Sequence, residues 1–167
     1  MSTKNDYEEA FSLWLEENNY NFRHVKQSER LKIGEKSVKS FDYVVDNNGK
    51  VCVVELKGRV FKGDSFASLS GLQNWVTCDD VESLGGWQCI EGVDRALLVF
   101  AYRSQNIDVD TDGNDSIEYN GKVYVFIAIH VNKYRSFMKR RSRRWNTVDL
   151  HASDFRNSII ELKKAFY

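Results

Sequence analysis

Apolar and polar positions divide the chain into short strand-like runs and a few helical segments. From Asp6 to Asn18, apolar side chains recur at helical spacing. At about 100° per residue, Tyr7, Ala10, Phe11, Trp14 and Leu15 fall on one stripe, which predicts an opening helix. Glu9 and Glu16 fall opposite it, towards solvent, and Glu8 falls at its edge beside Leu15. A short strand is expected near Asn21 to Val25. Ser40 to Val45 and Val51 to Lys57 read as a β-hairpin around Asp46-Asn-Asn-Gly49, with Asn47-Asn48 as the two-residue loop. A loop containing Gly58, Gly63 and several serines is expected next. Thr77, with Asp80 three residues on, has capping-box spacing for a helix to about Cys89, weakened by Gly85 and Gly86. Ala96 to Tyr102 and Lys122 to Val131 have high β-propensity. Ser153 reads as the cap of a last helix carrying Phe155, Ile159, Ile160, Leu162 and Phe166. This order predicts an α/β (α+β) fold, a mixed central sheet flanked by helices, in one domain spanning residues 1–167.

Composition narrows the class. The 167 residues are 42% hydrophobic and 29% charged, as in an ordinary globular chain. No apolar run approaches the roughly 20 residues of a membrane-spanning helix. Met1-Ser-Thr-Lys-Asn-Asp6 has no apolar core of a signal peptide. Cys52, Cys78 and Cys89 are odd in number and form no CxxC pair, so a reducing cytoplasm is expected rather than a disulfide or zinc framework. Lys plus Arg and Asp plus Glu are both 24, so net charge names no partner. Its distribution does. Asn106 to Glu118 holds five acids and no cation, whereas Lys133 to Arg144 holds seven cations and no acid.

The chemistry is concentrated in the hairpin. Along the second strand, Val51, Val53, Glu55 and Lys57 share one face. With Asn47-Asn48 as the loop, Asp42 lies opposite Val53 and diagonal to Glu55, within reach of a shared ion. The competing account is the solvent-facing side of an ordinary hairpin. It fits poorly, because Phe41, Tyr43, Cys52, Val54 and Leu56 make the other face equally apolar, so both faces look covered. Half-buried carboxylates repel unless a cation neutralises them, and Mg²⁺ or Mn²⁺ would do so.

Asp42 followed by Glu55-Leu-Lys57 resembles the Asp…(Asp/Glu)-x-Lys signature of the PD-(D/E)xK nucleases, the restriction-endonuclease-like superfamily. Further segments are similar to a bacterial, planctomycete-type family known by the motif HYExAFE. These are Tyr7-Glu-Glu-Ala-Phe11, Lys39-Ser-Phe-Asp42, Glu55-Leu-Lys-Gly-Arg59, Leu72-Gln-Asn-Trp-Val-Thr77, Asp80-Val-Glu-Ser-Leu84 and Arg141-Ser-Arg-Arg-Trp145. The chain departs from the motif at Asp6, in place of His, and at Ser12, in place of the last Glu. The resemblance implies a metal-dependent nuclease acting on DNA more than RNA, and is compatible with a homodimer. It implies Asp42, Glu55 and the Leu56 carbonyl as metal ligands, and Glu8 in the outer shell of the ion. Lys57 would orient water, stabilise charge or act as base. Gln73 resembles a glutamine that some members place after the motif. Glu8 has a competing role as a partner of the helix N-terminus.

Arg59, Lys139, Arg140, Arg141, Arg143, Arg144 and Trp145 form the expected nucleic-acid strip, since arginine forks onto phosphate and tryptophan stacks on bases. A solvated helix face is the alternative for this segment. A nuclease-like domain that only binds nucleic acid or protein is the alternative for the whole chain. Asp108-Val-Asp-Thr-Asp-Gly113 imitates the start of a calcium loop. It has Tyr119 where the bidentate acid belongs, and reads better as an acidic surface loop. His24, His130 and His151 show no ligand spacing and are expected to be structural.

Overall fold

The computed structural model describes residues 5–25, 30–33, 36–39 and 41–167. Met1 to Lys4 and Ser40, on which parts of the sequence reading fall, lie outside the described residues. The elements in chain order are α1 (Asp6–Glu17), β1 (Asn21–His24), β2 (Arg30–Ile33), β3 (Lys36–Lys39), β4 (Tyr43–Asn47) and β5 (Lys50–Val60). Then follow β6 (Val76–Thr77), α2 (Cys78–Gln88), β7 (Arg95–Ser104), β8 (Ser116–Tyr119) and β9 (Lys122–His130). The chain closes with α3 (Val131–Phe137), β10 (Lys139–Ser142), β11 (Thr147–Asp149), α4 (Ala152–Ser158) and α5 (Leu162–Ala165).

Six strands form the main sheet in the order β1-β4-β5-β7-β9-β8. Only β5 and β7 run parallel, so the sheet is mixed, as expected. The near-continuous apolar character of β7 and β9 follows from burial on both faces. On one face, Cys52, Val54 and Leu56 pack with Phe11, Trp14 and Leu15 of α1 and with Leu162 and Ala165 of α5. On the other, Val53, Leu98 and Phe100 pack with Val81, Leu84 and Trp87 of α2, Tyr134 of α3 and Phe155 of α4. A small sheet, β10-β11-β6, stands beside the second layer, and β2 pairs with β3 in a separate two-stranded sheet. No helix among the described residues is long and apolar enough to cross a membrane.

Several expectations need correction. The β4–β5 loop is Asn48-Gly49, because both residues adopt the left-handed backbone (φ 53 and 85°) that a tight hairpin turn requires. Asn47 therefore pairs with Lys50 and Tyr43 with Val54. The shift relative to the Asn47-Asn48 reading is two residues, so no side chain changes face. Gly58 belongs to β5 rather than to a loop. There a side chain would collide with the Tyr7 ring, so only glycine lets α1 lie this close. The acidic segment ends in β8, and a short helix, α3, carries the first two cations of the basic segment, Lys133 and Arg135. His151, not Ser153, is the N-cap of α4. The expected last helix is two, since the backbone N–H of Ile160 donates to the Ala128 carbonyl (2.9 Å) and takes the chain out of helix.

Candidate active site

The hairpin ladder ends where Tyr43 pairs with Val54, and Asp42 stands at a bend just before β4. Asp42 therefore lies beside Val54 and Leu56 rather than opposite Val53. The Asp42 N–H donates to the Val54 carbonyl (2.9 Å), and its carboxylate Oδ2 accepts from the backbone N–H of Leu56 at 2.7 Å. Glu55 is buried, and its Oε1 lies 3.2 Å from Lys57 Nζ. Strand alternation puts Glu55 and Lys57 together on the α2 side of the sheet.

A third acid joins them. Lys57 Nζ lies 2.7 Å from Oδ2 of Asp80, which is only 3% exposed. Asp80 occupies the first turn of α2, where it forms a capping box with Thr77, as its spacing predicts. The sequence signal ends there. No local pattern says that the start of α2 packs over Lys57.

Glu8 is also buried, but its carboxylate is engaged elsewhere. Oε2 accepts from the Asn5 N–H (3.1 Å) in the α1 capping box and lies 3.7 Å from His24 Nε2. The helix-end role is thus observed, and His24 is a neighbour that ligand spacing could not reveal. Tyr43 fixes this corner by donating its hydroxyl to the Glu8 carbonyl (2.8 Å), beside Ser12 Oγ at 2.9 Å. Glu9 is not simply solvated, since the Tyr119 hydroxyl donates to it.

Two residues beyond Lys57 on β5, the Arg59 guanidinium stacks 4.1 Å from the Trp75 ring centroid and donates to the Trp75 carbonyl at 2.6 Å. Burial pushes this guanidinium below its usual pKa. Arg141 of β10 lies 5.2 Å from the same ring. The Trp75 ring thus links the strand of the acids to the basic segment. That segment is not a helix face. Lys139, Arg140 and Arg141 lie on β10, Arg143 and Arg144 follow in its turn, and all are exposed. None of the five makes an ion pair with an acid among the described residues. Trp145 is 66% exposed, with Arg144 over its ring at 5.1 Å. Gln73 sits in the loop before β6. Its carbonyl accepts from the Tyr102 hydroxyl (2.8 Å), and it lines a cavity of about 210 Å³ with Trp75, Arg141 and Asp149.

In the acidic loop, Asp110 accepts from the Ser65 hydroxyl and the Asp112 N–H, which hold its carboxyl below the usual range. These bonds tie the loop to the segment after β5. The hard-oxygen set of Asp42, Glu55 and the intervening Leu56 carbonyl suits Mg²⁺ or Mn²⁺. Among the described residues, no three His, Cys, Asp or Glu side chains converge as a metal cluster.

No family model matches the sequence, and no curated protein matches it. The resemblance to the HYExAFE family thus gains no support. The structure does have a match, in Hjc of Archaeoglobus fulgidus, a Holliday junction resolvase from an archaeal hyperthermophile. The TM-score is 0.53 over 93% of this chain and 96% of that one, at 12% identity. The fold is restriction-endonuclease-like. At that identity, the likeness speaks for the fold alone.

Proposed function

We propose that the chain is a metal-dependent nuclease that hydrolyses phosphodiester bonds of nucleic acid, DNA in the first place. The observation that carries this reading is the Asp42 carboxylate bonded to the Leu56 N–H, between Glu55 and Lys57, whose charged ends meet at 3.2 Å, in a restriction-endonuclease-like fold. Asp42, Glu55 and the Leu56 carbonyl would hold Mg²⁺ or Mn²⁺, which supplies Lewis acidity and a water of lowered pKa. Lys57 orients the attacking water and offsets the charge that builds on the phosphoryl oxygens. Glu8, held beside His24, belongs to the outer edge of this site, and Gln73 to the substrate path rather than to the ion. Lys139, Arg140, Arg141, Arg143 and Arg144 receive phosphates, with Trp145 on a base or sugar. Arg59 acts on the strip through Trp75.

A second reading is a domain that only binds. Its support is that the Leu56 N–H and Lys57 engage the two carboxylates. Cleavage of plasmid, linear duplex, branched and single-stranded DNA and of RNA, with and without Mg²⁺ or Mn²⁺, separates the two. The nuclease reading expects metal-dependent cutting that Glu55→Ala and Lys57→Ala abolish. Cutting that survives both variants would refute the site, and binding without cutting on every substrate would favour the second reading.

A further inference from the structure

The closest contact of Lys57 is not with Glu55. Its ammonium lies 2.7 Å from Asp80 and 3.2 Å from Glu55. We propose that Asp80 is the positioning residue of the site, anchoring Lys57 so that its ammonium keeps its place when Glu55 turns to a metal ion. The part that rests on the nuclease reading is the consequence for catalysis. The anchoring itself does not depend on it.

The physical need is plain. A lysine side chain has four rotatable carbons, and holding it in one place costs rotamer entropy. If Glu55 were its sole partner, engagement of Glu55 by a cation would strand a half-buried ammonium beside that cation. A second carboxylate on a different element removes this conflict. Asp80 suits the task because it is itself immobile. It is almost fully buried, and its side chain closes the capping box by facing the Thr77 N–H at 3.4 Å. The positive end of the α2 dipole stabilises its charge.

The start of α2 is clamped from behind as well. Thr77 pairs with Thr147 of β11, and the Cys78 N–H donates to the Asn146 carbonyl at 2.9 Å. The clamp is the turn that carries Arg143, Arg144 and Trp145. The turn that would meet the nucleic-acid backbone is therefore bonded to the first turn of the helix that holds Lys57. Misplacement of a reacting group by about 1 Å can cost on the order of 10²-fold in rate, so this anchoring bears directly on turnover.

The test compares Asp80→Asn with Thr77→Ala. Asn keeps a cap acceptor but removes the charge. Thr77→Ala breaks the capping box and leaves the carboxylate. With saturating Mg²⁺ or Mn²⁺, Asp80→Asn is expected to lower kcat about 10²-fold while KM for DNA stays within about twofold. Thr77→Ala should leave kcat within about threefold despite lost stability. If Asp80→Asn keeps its kcat, or Thr77→Ala loses as much, the anchoring is overturned while the nuclease reading stands. If the wild-type chain cuts nothing, the nuclease reading fails, and a second measurement decides the anchoring. A slowly exchanging ¹⁵N ammonium resonance, identified by its absence in Lys57→Gln, is expected in the wild type and Thr77→Ala and lost in Asp80→Asn. Its persistence in Asp80→Asn would overturn the proposal.

Discussion

Gly58→Ala tests how closely α1 is pressed onto the strand of the candidate site. A Cβ at Gly58 would lie 2.5 Å from Cδ2, 2.6 Å from Cγ and 2.8 Å from Cε2 of Tyr7. Carbon atoms at rest stand about 3.5–4.0 Å apart, so ring or strand must move by about 1 Å. The ring has little freedom to yield. Its edge-to-face contact with Tyr124 has centroids 5.7 Å apart, and the Arg103 guanidinium covers it at 4.9 Å. Overpacking of this kind costs about 1–3 kcal/mol, and replacing a strand glycine returns about 0.5–1 kcal/mol of chain entropy. The net expected loss is up to about 2.5 kcal/mol and centred near ~1 kcal/mol, a drop of roughly 2–4 °C in Tm at that centre for a chain of this size. Urea unfolding of wild type, Gly58→Ala, Tyr7→Ala and the double variant measures it. In the Tyr7→Ala background, Gly58→Ala should cost nothing or stabilise, giving a coupling of at least about 1 kcal/mol. An equal cost in both backgrounds would refute the argument that the Tyr7 ring is what excludes a side chain.

Other outcomes follow from the charges and buried groups. Replacing Arg140, Arg141, Arg143 and Arg144 by Gln should weaken binding to all DNA sequences alike and reduce the salt slope by up to about four phosphate contacts, read by fluorescence anisotropy across a salt series. Metal binding, measured by calorimetry, should survive in that variant. Burial pushes the Cys52 thiol up to about 12, so Ellman's reagent should react with exposed Cys89 in the folded chain and reach Cys52 only on unfolding. Burial, and then Arg95, hold the half-buried His130 below its ordinary 6.5. The unfolded chain therefore takes up this proton first. Stability is full above 6.5 and declines as pH falls from 6.5 through the lowered value, and His130→Gln should flatten that limb in urea titrations.

Where periodicity is carried by one element, the sequence was legible. The α1 stripe, the two central strands and the capping box at Thr77 and Asp80 all stand where spacing puts them. Glu55 and Lys57 were legible as neighbours because strand alternation puts them on one face, whereas Asp42, at the bend before β4, meets β5 through the Leu56 N–H. What escaped depends on contacts between distant elements. Nothing near Asp80 in sequence reveals Lys57, and nothing near Trp75 reveals Arg59 on one side and Arg141 on the other. The break at Ile160 escaped for the same reason, since its apolar side chain suits a helix while its backbone bonds to β9. Glu8 shows the opposite case. The helix-end competitor, readable from spacing alone, describes the bonds it makes.

The central claim is that Asp42 and Glu55 share a divalent ion on the path of nucleic-acid cleavage. Anomalous diffraction from crystals soaked in Mn²⁺ tests it most directly. One strong peak is expected, bonded to carboxylate oxygens of both Asp42 and Glu55 and to the Leu56 carbonyl, and absent in Glu55→Ala crystals. A peak at the Asp108 to Glu118 loop alone, or none at Asp42 and Glu55, would contradict it.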